Sequence, residues 1–435
     1  MAISNNIPAS LIERKPYMQQ LREWKDQHII KVVTGMRRSG KSTMLKMLAD
    51  EIRPNVDEAQ IQFYNFEDIK TLAIGDYVQI YLHIDGKLVP DKMNYIFLDE
   101  VQNIASFERM ADSLFIKENV DLYITGSNAY LLSGELATLL TGRYIEISIL
   151  PFSFAEYLEY AVNSKDSSQN ESFRNLSGLT LAQQSEIKAY ARTIFDDYLH
   201  EGGIPQAVAS RYKEDKRPEK ILKAILSTII EKDVFTRQEV YNKTAFSKII
   251  DFLFDAIGAP ISPNSIVNTF KSEKVLIDNK TVSRYLNILC DAFLLFRVPR
   301  YDLKGKGFLR TFEKYYLSDT GFRQSRLPKR MQVDIGRLLE NVIYLELLRR
   351  YERVYIGKVR DKEVDFVVED IKGYISYYQV AYSTMEPSTL DRELASLKAI
   401  NDSNPKYLLT MDYDLNPVYD GIRKLNVIDW LLGIE

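Results

Sequence analysis

The run "GMRRSGKS", Gly35 to Ser42, fits the pattern G-x-x-x-x-G-K-[ST] at every specified position. Residues of these types at this spacing bind phosphate. Gly35 and Gly40 let the backbone turn so that successive N–H groups face an anion, and the helix that follows adds a favourable dipole. Lys41 would reach the β- and γ-phosphates of a nucleotide and Ser42 would ligate Mg²⁺, with Arg38, Ser39 and Thr43 completing the contact set. Downstream, "YIFLDE" ends an apolar run in Asp99 and Glu100. Asp99 suits Mg²⁺ coordination and Glu100 is placed to polarise an attacking water, so the pair points to hydrolysis rather than binding alone. The cofactors implied are ATP and Mg²⁺.

"LYITGSN" closes another apolar run in polar residues, and Asn128 or Ser127 would bond the γ-phosphate or its water; a cap on the next helix is the competing role for Asn128. Arg143 in "TGRY" and Arg237 in "KDVFTR" are candidates for a finger on a neighbouring copy's nucleotide, against the plainer reading of a surface salt bridge for each.

These residues need a scaffold. β-branched residues from Ile29 to Val33 precede the glycine loop, and Leu45, Leu48 and Ile52 follow at helical spacing. "IQFYNF", "NYIFLDEV", "VDLYITGS" and "RYIEISIL" are further short apolar runs separated by helix-length segments, which implies a parallel sheet covered on both faces. The fold class is α/β: a P-loop NTPase sheet over 1–152, a helical lid over 153–244 with a polar insertion near 163–178, a winged-helix domain over 245–330, and a small α/β unit over 331–435.

Length and composition agree. A chain of 435 residues favours several cores, and 46% apolar with 27% charged residues is ordinary for a soluble globular protein. Lys plus Arg (57) nearly balances Asp plus Glu (60), so a nucleic-acid site must be a local patch. Cys290 is the single cysteine, which excludes an intramolecular disulfide and suits a reducing cytoplasm. No signal-like or membrane-length apolar run is present, so cytoplasmic location without membrane contact is expected.

The winged-helix segment carries the local charge. On a helix from Asn279 to Phe293, Lys280, Ser283, Arg284 and Asn287 share one face while Val282, Tyr285, Leu286 and Leu289 turn toward a core. The hairpin that follows concentrates Arg297, Arg300, Lys304, Lys306, Arg310 and Lys314 against Asp302 and Glu313. DNA contact through Lys280, Arg284, Lys304, Lys306 and Arg310 is the expectation; a rigid spacer or protein-docking module is the alternative.

At the level of whole motifs, "KVVTGMRRSGKSTML", "FYNFED", "YIFLDEVQNIASFE", "YITGSNAYLLSGELATLLTGRY", "LPFSFAEYL", "LHEGGIPQAV", "KYYLSDTGFR" and "GRLLENVIYLEL" resemble the AAA+-type ATPases that carry a carboxy-terminal domain of the DUF4143 class. The resemblance implies Walker A, Walker B and sensor positions for Lys41, Ser42, Asp99, Glu100 and Asn128. Glu340 on a helix, then Asp365 and Gln379 on strands, resemble the core of the PD-(D/E)XK nuclease superfamily. Active members use an (E/Q)-x-K strand, and here "QVA" puts Ala381 at the lysine position. An alanine can neither donate to a phosphate nor influence a water, and nothing in the sequence places Lys358, Arg360 or Lys362 there, so a vestigial framework is expected rather than a nuclease.

Together these readings imply an ATPase that assembles as a ring or other oligomer and remodels or moves on DNA, branched DNA included. The alternatives are a nucleotide-gated switch acting on a protein partner and, third, an ATP-dependent nuclease.

Overall fold

In the computed structural model, the strand expected ahead of the glycine loop is Ile30–Thr34 (β1), all five residues of which are buried. The structure describes residues 11–129, 140–164, 181–212, 217–236, 240–272, 274–303, 305, 307–328, 334–414 and 417–434. The chain divides into two compact units, one of Glu13–Pro151 with Asp291–Phe293 and one of Phe152–Cys290 and Leu294–Glu435 together with Leu11 and Ile12.

The first unit is a five-stranded sheet in the order β2-β3-β4-β1-β5, formed by β1, Ile61–Asn65 (β2), Asn94–Asp99 (β3), Val120–Thr125 (β4) and Tyr144–Ser148 (β5). Every pairing is parallel. Among the described residues of this unit, the helices of nine or more residues are Lys15–Glu23 (α1), Lys41–Ile52 (α2), Tyr77–Asp85 (α3) and Phe107–Phe115 (α4). Because side chains alternate along a strand, Ile30 and Val32 join Ile96, Leu98, Leu122 and Ile124 against α3 and α4, while Val33, Phe97, Tyr123 and Ile147 pack against Leu45 and Leu48 of α2 and Met18 and Leu21 of α1. Each fully buried Leu or Ile contributes about 1.5–3 kcal/mol. The two apolar faces hold the strand ends in register, so Asp99 ends beside Asn65, its partner across the ladder.

The second unit opens with the helices Phe154–Asn163 (α5), Leu181–Glu201 (α6), Pro205–Arg211 (α7) and Pro218–Thr228 (α8), the last running into a π-turn over Ile229–Phe235. Most of the expected polar insertion lies outside the described residues. The α6–α7 break is built around a carboxylate. Asp319 accepts the N–H groups of Gly203 at 2.7 Å and Gly321 at 2.9 Å. Gly202 has φ 72°, and a Cβ there would fall 1.8 Å from Asp319 Oδ1, so only glycine fits.

Next come Lys243–Asp255 (α9), Pro260–Ile261 (β6), Pro263–Ser272 (α10), Asn279–Asp291 (α11) and the hairpin Leu295–Asp302 (β7) and Gly307–Leu317 (β8), with β6 pairing antiparallel to β8. After Gly321–Arg326 (α12) and Ile335–Arg350 (α13) come Arg353–Val359 (β9), Lys362–Glu369 (β10), Ile375–Val380 (β11), Pro387–Lys398 (α14), Lys406–Thr410 (β12), Val418–Tyr419 (β13), Ile422–Asn426 (β14) and Val427–Leu432 (α15). These strands form one nine-stranded sheet, β13-β14-β12-β11-β10-β9-β7-β8-β6. β7 pairs parallel with β9 from Arg300↔Ile356 to Asp302↔Lys358. The sheet therefore runs straight through the border expected near residue 330, because the free edge of β7 finds its hydrogen bonds on β9.

Candidate functional site

The glycine loop leaves β1 at Gly35, whose φ of 134° and close approach to the Ile149 carbonyl, 2.2 Å from any added Cβ, exclude side chains. Gly40, at φ 105°, is the residue before α2. Lys41 is buried, and its Nζ donates to the carbonyls of Gly35 at 2.9 Å and Met36 at 3.1 Å, with a Glu100 oxygen 3.7 Å away. Ser42 Oγ donates to Asp99 Oδ1 at 2.9 Å. Ser39 Oγ is buried without a hydrogen-bond partner. Arg38 and Thr43 are exposed, Arg38 with a left-handed backbone. The neighbouring Arg37 is instead buried against Glu67 at 2.6 Å.

Opposite the loop, Asp99 accepts from Thr125 Oγ1 at 2.6 Å and from Asn65 Nδ2 at 3.0 Å. Burial pushes its carboxyl above the ordinary value, against the hydrogen bonds from Thr125 and Ser42. Glu100 takes a left-handed backbone, φ 57°, and its N–H donates to Thr125 Oγ1 at 2.9 Å. Gln102 Nε2 donates to Glu100 Oε2 and, at 3.1 Å, to Ser127 Oγ. Asn128 is buried just beyond β4.

Lys41, Ser42, Asp99 and Glu100 are thus brought together at the carboxyl ends of parallel strands, where open α/β sheets bind ligands. A glycine-lined loop, an orphaned buried hydroxyl, and an ammonium turned onto loop carbonyls fit a nucleotide's phosphates, and the Ser42–Asp99 pair fits Mg²⁺. Arg143 lies at the other edge of the sheet: its carbonyl accepts the N–H of Ile30 at the start of β1, and its guanidinium pairs with Asp112. That end of the sheet is opposite the one that carries Lys41, Ser42, Asp99 and Glu100. Arg237 lies outside the described residues.

Four contributors escaped sequence reasoning. Asn65 and Thr125 end strands that flank β3, and their polarity at the ends of apolar runs was the available signal. Gln102 follows Glu100 closely enough to have been weighed. Arg14 left no local trace: buried, with φ 54°, it donates to the carbonyls of Ser39 at 2.9 Å and Leu150 at 2.8 Å, buttressing the loop from a distant part of the chain.

The expected DNA-facing residues are only partly visible. Lys280 is exposed on α11, and Arg284 is half-buried with its guanidinium 5.2 Å from the ring centre of Tyr241. Lys304, Lys306 and the Arg310 side chain lie outside the described residues. Of the remaining hairpin cations, Arg297 is exposed, whereas Arg300 and Lys314 are turned onto carboxylates of the chain. Arg297 bonds Asn287 at 2.5 Å, Arg300 sits 3.4 Å from Glu363, and Lys314, its side chain only 4% exposed, is turned into the protein.

Of the three nuclease-like positions, Glu340 and Asp365 both face Lys314, and Gln379 meets Asp365 at its main chain. Glu340 Oε1 accepts from Lys314 at 2.9 Å and Tyr316 at 2.5 Å. Asp365 Oδ2 accepts the N–H of Val380 at 2.8 Å, and Oδ1 stands 4.0 Å from Lys314. Gln379 Oε1 accepts the Asp365 N–H at 3.3 Å and the Ser396 hydroxyl at 3.1 Å, while its Nε2 donates to Glu393 at 2.8 Å. Ala381 continues the ladder to Leu409, Arg360 is exposed at a turn, and Lys362 bonds the Ala395 carbonyl. Among the described residues, no group of three or more His, Cys, Asp or Glu is arranged to hold a metal ion, and no helix is long and apolar enough to cross a membrane.

Residues 27–158 match the family model described as an AAA domain, and residues 192–332 match a domain of unknown function, DUF8612. The second is a different class from the DUF4143 domain that the motifs resemble, and its match stops before β9. An uncharacterized protein of Haemophilus influenzae is 35% identical over 425 residues, 97% of this chain and 99% of its own. An uncharacterized protein of Methanocaldococcus jannaschii is 29% identical over 384 residues, 86% of this chain and 79% of its own. Among solved structures, a Walker-type ATPase of Pyrococcus abyssi aligns over 72% of this chain and 95% of its own, with 15% identity and a TM-score of 0.45. With its phosphate-loop geometry and its full-length likeness to the Haemophilus influenzae protein, the chain belongs to one family with that protein, a family of P-loop ATPases built on an AAA domain.

Proposed function

We propose that the protein is a Mg²⁺-dependent ATPase of the AAA+ class that acts as a homo-oligomer, a ring or another assembly, and couples ATP turnover to binding or remodelling of DNA, branched DNA included. The observation that carries the ATPase reading is the convergence of Lys41, Ser42, Asp99 and Glu100 at one sheet edge. The loop N–H groups and Lys41 hold the phosphates, and Ser42 and Asp99 hold Mg²⁺, which when bound neutralises charge on the phosphate oxygens. Glu100 orients water and takes its proton, and Asn128 senses the γ-phosphate. Arg143 would serve a neighbouring copy, since it stands at the far edge of its own sheet.

The DNA part rests on Lys280 and Arg284 on α11 and on the order helix, strand, helix, helix, hairpin, which is that of a winged helix. By role, 1–152 is the motor, 153–244 the lid, 245–330 the winged helix, and 331–435 a DUF4143-type unit on a nuclease-like framework without cleavage activity.

A second reading has its own support. Since Arg297, Arg300 and Lys314 bond within the chain, the hairpin presents less positive charge than its sequence implies, which favours a nucleotide-gated switch acting on a protein partner. ATP turnover measured with single-stranded, duplex and junction DNA, alongside mass with and without nucleotide, separates the two. Stimulation by DNA at low salt supports the first reading. A rate indifferent to every DNA structure, with capture of one protein partner independent of salt, replaces it with the second. No turnover with any of them overturns both.

A further inference from the structure

We infer that Lys314 is the resident cation of the C-terminal carboxylate cluster: its ammonium supplies Glu340, Glu363 and Asp365 with the counter-charge that a divalent metal supplies in clusters of this composition. The same ammonium pins the hairpin strand β8 to α13 and β10.

Three observations carry this. First, a lysine side chain only 4% exposed must have its charge answered, and Lys314 Nζ lies 2.9 Å from Glu340, 2.8 Å from Glu363 and 4.0 Å from Asp365. Second, each carboxylate is already served by protein donors. Glu340 takes Lys314 and the Tyr316 hydroxyl, Glu363 takes Lys314 and sits beside Arg300, and Asp365 takes the main-chain N–H of Val380. Third, the neighbouring groups are already engaged. A Cβ on Gly258 would fall 3.3 Å from the Glu340 carboxylate, and Gln379, the remaining candidate ligand, is bonded to the Asp365 N–H, Glu393 and Ser396. Desolvation works against the charged lysine, but Glu340, Asp365 and Glu363 outweigh it and raise its pKa.

Lys314 thereby replaces, from a different strand, the positive charge missing at Ala381. It reaches the cluster because β8 and β10 belong to one sheet, and its alternation on β8 turns it inward. The cluster is a filled ionic joint between the hairpin and the C-terminal strands, and it takes no divalent ion.

The test is Mn²⁺ binding to the full chain without nucleotide, followed by the electron paramagnetic resonance signal of free Mn²⁺, a readout independent of ATP turnover. Wild type and Asp365→Asn should bind equally, since the cluster contributes no site. Lys314→Met should gain one Mn²⁺ site, tighter by about tenfold or more than any in wild type, and Lys314→Met with Asp365→Asn should lose it. Lys314→Arg, which keeps the cation, should show no gain. Mn²⁺ binding by wild type that Asp365→Asn removes overturns the inference, as does a folded Lys314→Met that gains nothing. Should Lys314→Met fail to fold, the comparison of wild type with Asp365→Asn decides alone.

Discussion

Gln102 Nε2 donates to Glu100 Oε2 and also to Ser127 Oγ, so one amide ties the carboxylate beyond β3 to the polar segment beyond β4. Glu100 can be aimed by this contact without Gln102 reaching the nucleotide. Gln102→Leu should lower kcat by about ten- to a hundredfold, the scale of one hydrogen bond to a charged group, with KM for ATP unchanged. Steady-state ATPase kinetics check this, and a KM that rises as kcat holds would assign Gln102 to binding instead.

Lys41 and Glu100 should separate binding from chemistry. Lys41→Ala removes the ammonium proposed to meet the phosphates and should abolish both ATP affinity and turnover. Glu100→Gln keeps the shape of the site and should retain nucleotide while turnover falls by about 10²–10⁴-fold, the range for loss of a general base. Calorimetric ATP binding beside phosphate release distinguishes the two variants.

Arg14 holds the Ser39 carbonyl from outside the loop. Arg14→Ala leaves the buried carbonyls of Ser39 and Leu150 short of a donor, a cost of about 1–3 kcal/mol. Thermal melts should show the loss, and added ATP should raise the melting temperature of the variant less than that of wild type.

Asp319 gives stability a pH dependence of known sign. Burial pushes its carboxyl up to about 7, although the N–H groups of Gly203 and Gly321 pull the other way. A group whose folded pKa exceeds its unfolded one contributes stability below the unfolded value, near 3.9, and that contribution fades as pH rises through the folded value. Urea melts from pH 5 to 8.5 should therefore show Asp319→Ala narrowing its deficit against wild type as pH rises. A deficit that widens with pH would contradict the assignment.

Lys280 and Arg284 should be additive on DNA and silent without it. Lys280→Ala with Arg284→Ala should leave basal ATP turnover intact and weaken DNA binding uniformly across sequences. The salt slope should fall by about one for each phosphate that is no longer neutralised. Fluorescence anisotropy over a range of salt concentrations measures both effects.

Much of the candidate nucleotide site was legible in the chain because a phosphate loop is a local device. A strand, a glycine loop and a helix are contiguous, so Gly35, Gly40, Lys41 and Ser42 could be assigned from spacing, and Asp99 with Glu100 followed from a buried strand ending in charge. The supporting residues Asn65, Thr125 and Gln102 were visible only as polar residues after apolar runs, since their roles depend on which strands become neighbours. Arg14 was out of reach, because its bonds to Ser39 and Leu150 are set by packing between segments distant in sequence.

The C-terminal half divides differently. Its sequence by itself determined the order of helices and strands, the presence of Glu340 and Asp365, and the alanine at 381. Only the tertiary structure decided that β7 pairs with β9, that the expected basic hairpin turns Lys314 inward, and that this lysine lies among Glu340, Glu363 and Asp365. The reason is physical: the groups of a phosphate loop come from residues adjacent in sequence, whereas a buried charge is answered by whichever carboxylates the sheet brings beside it, and strand order is not written in local periodicity.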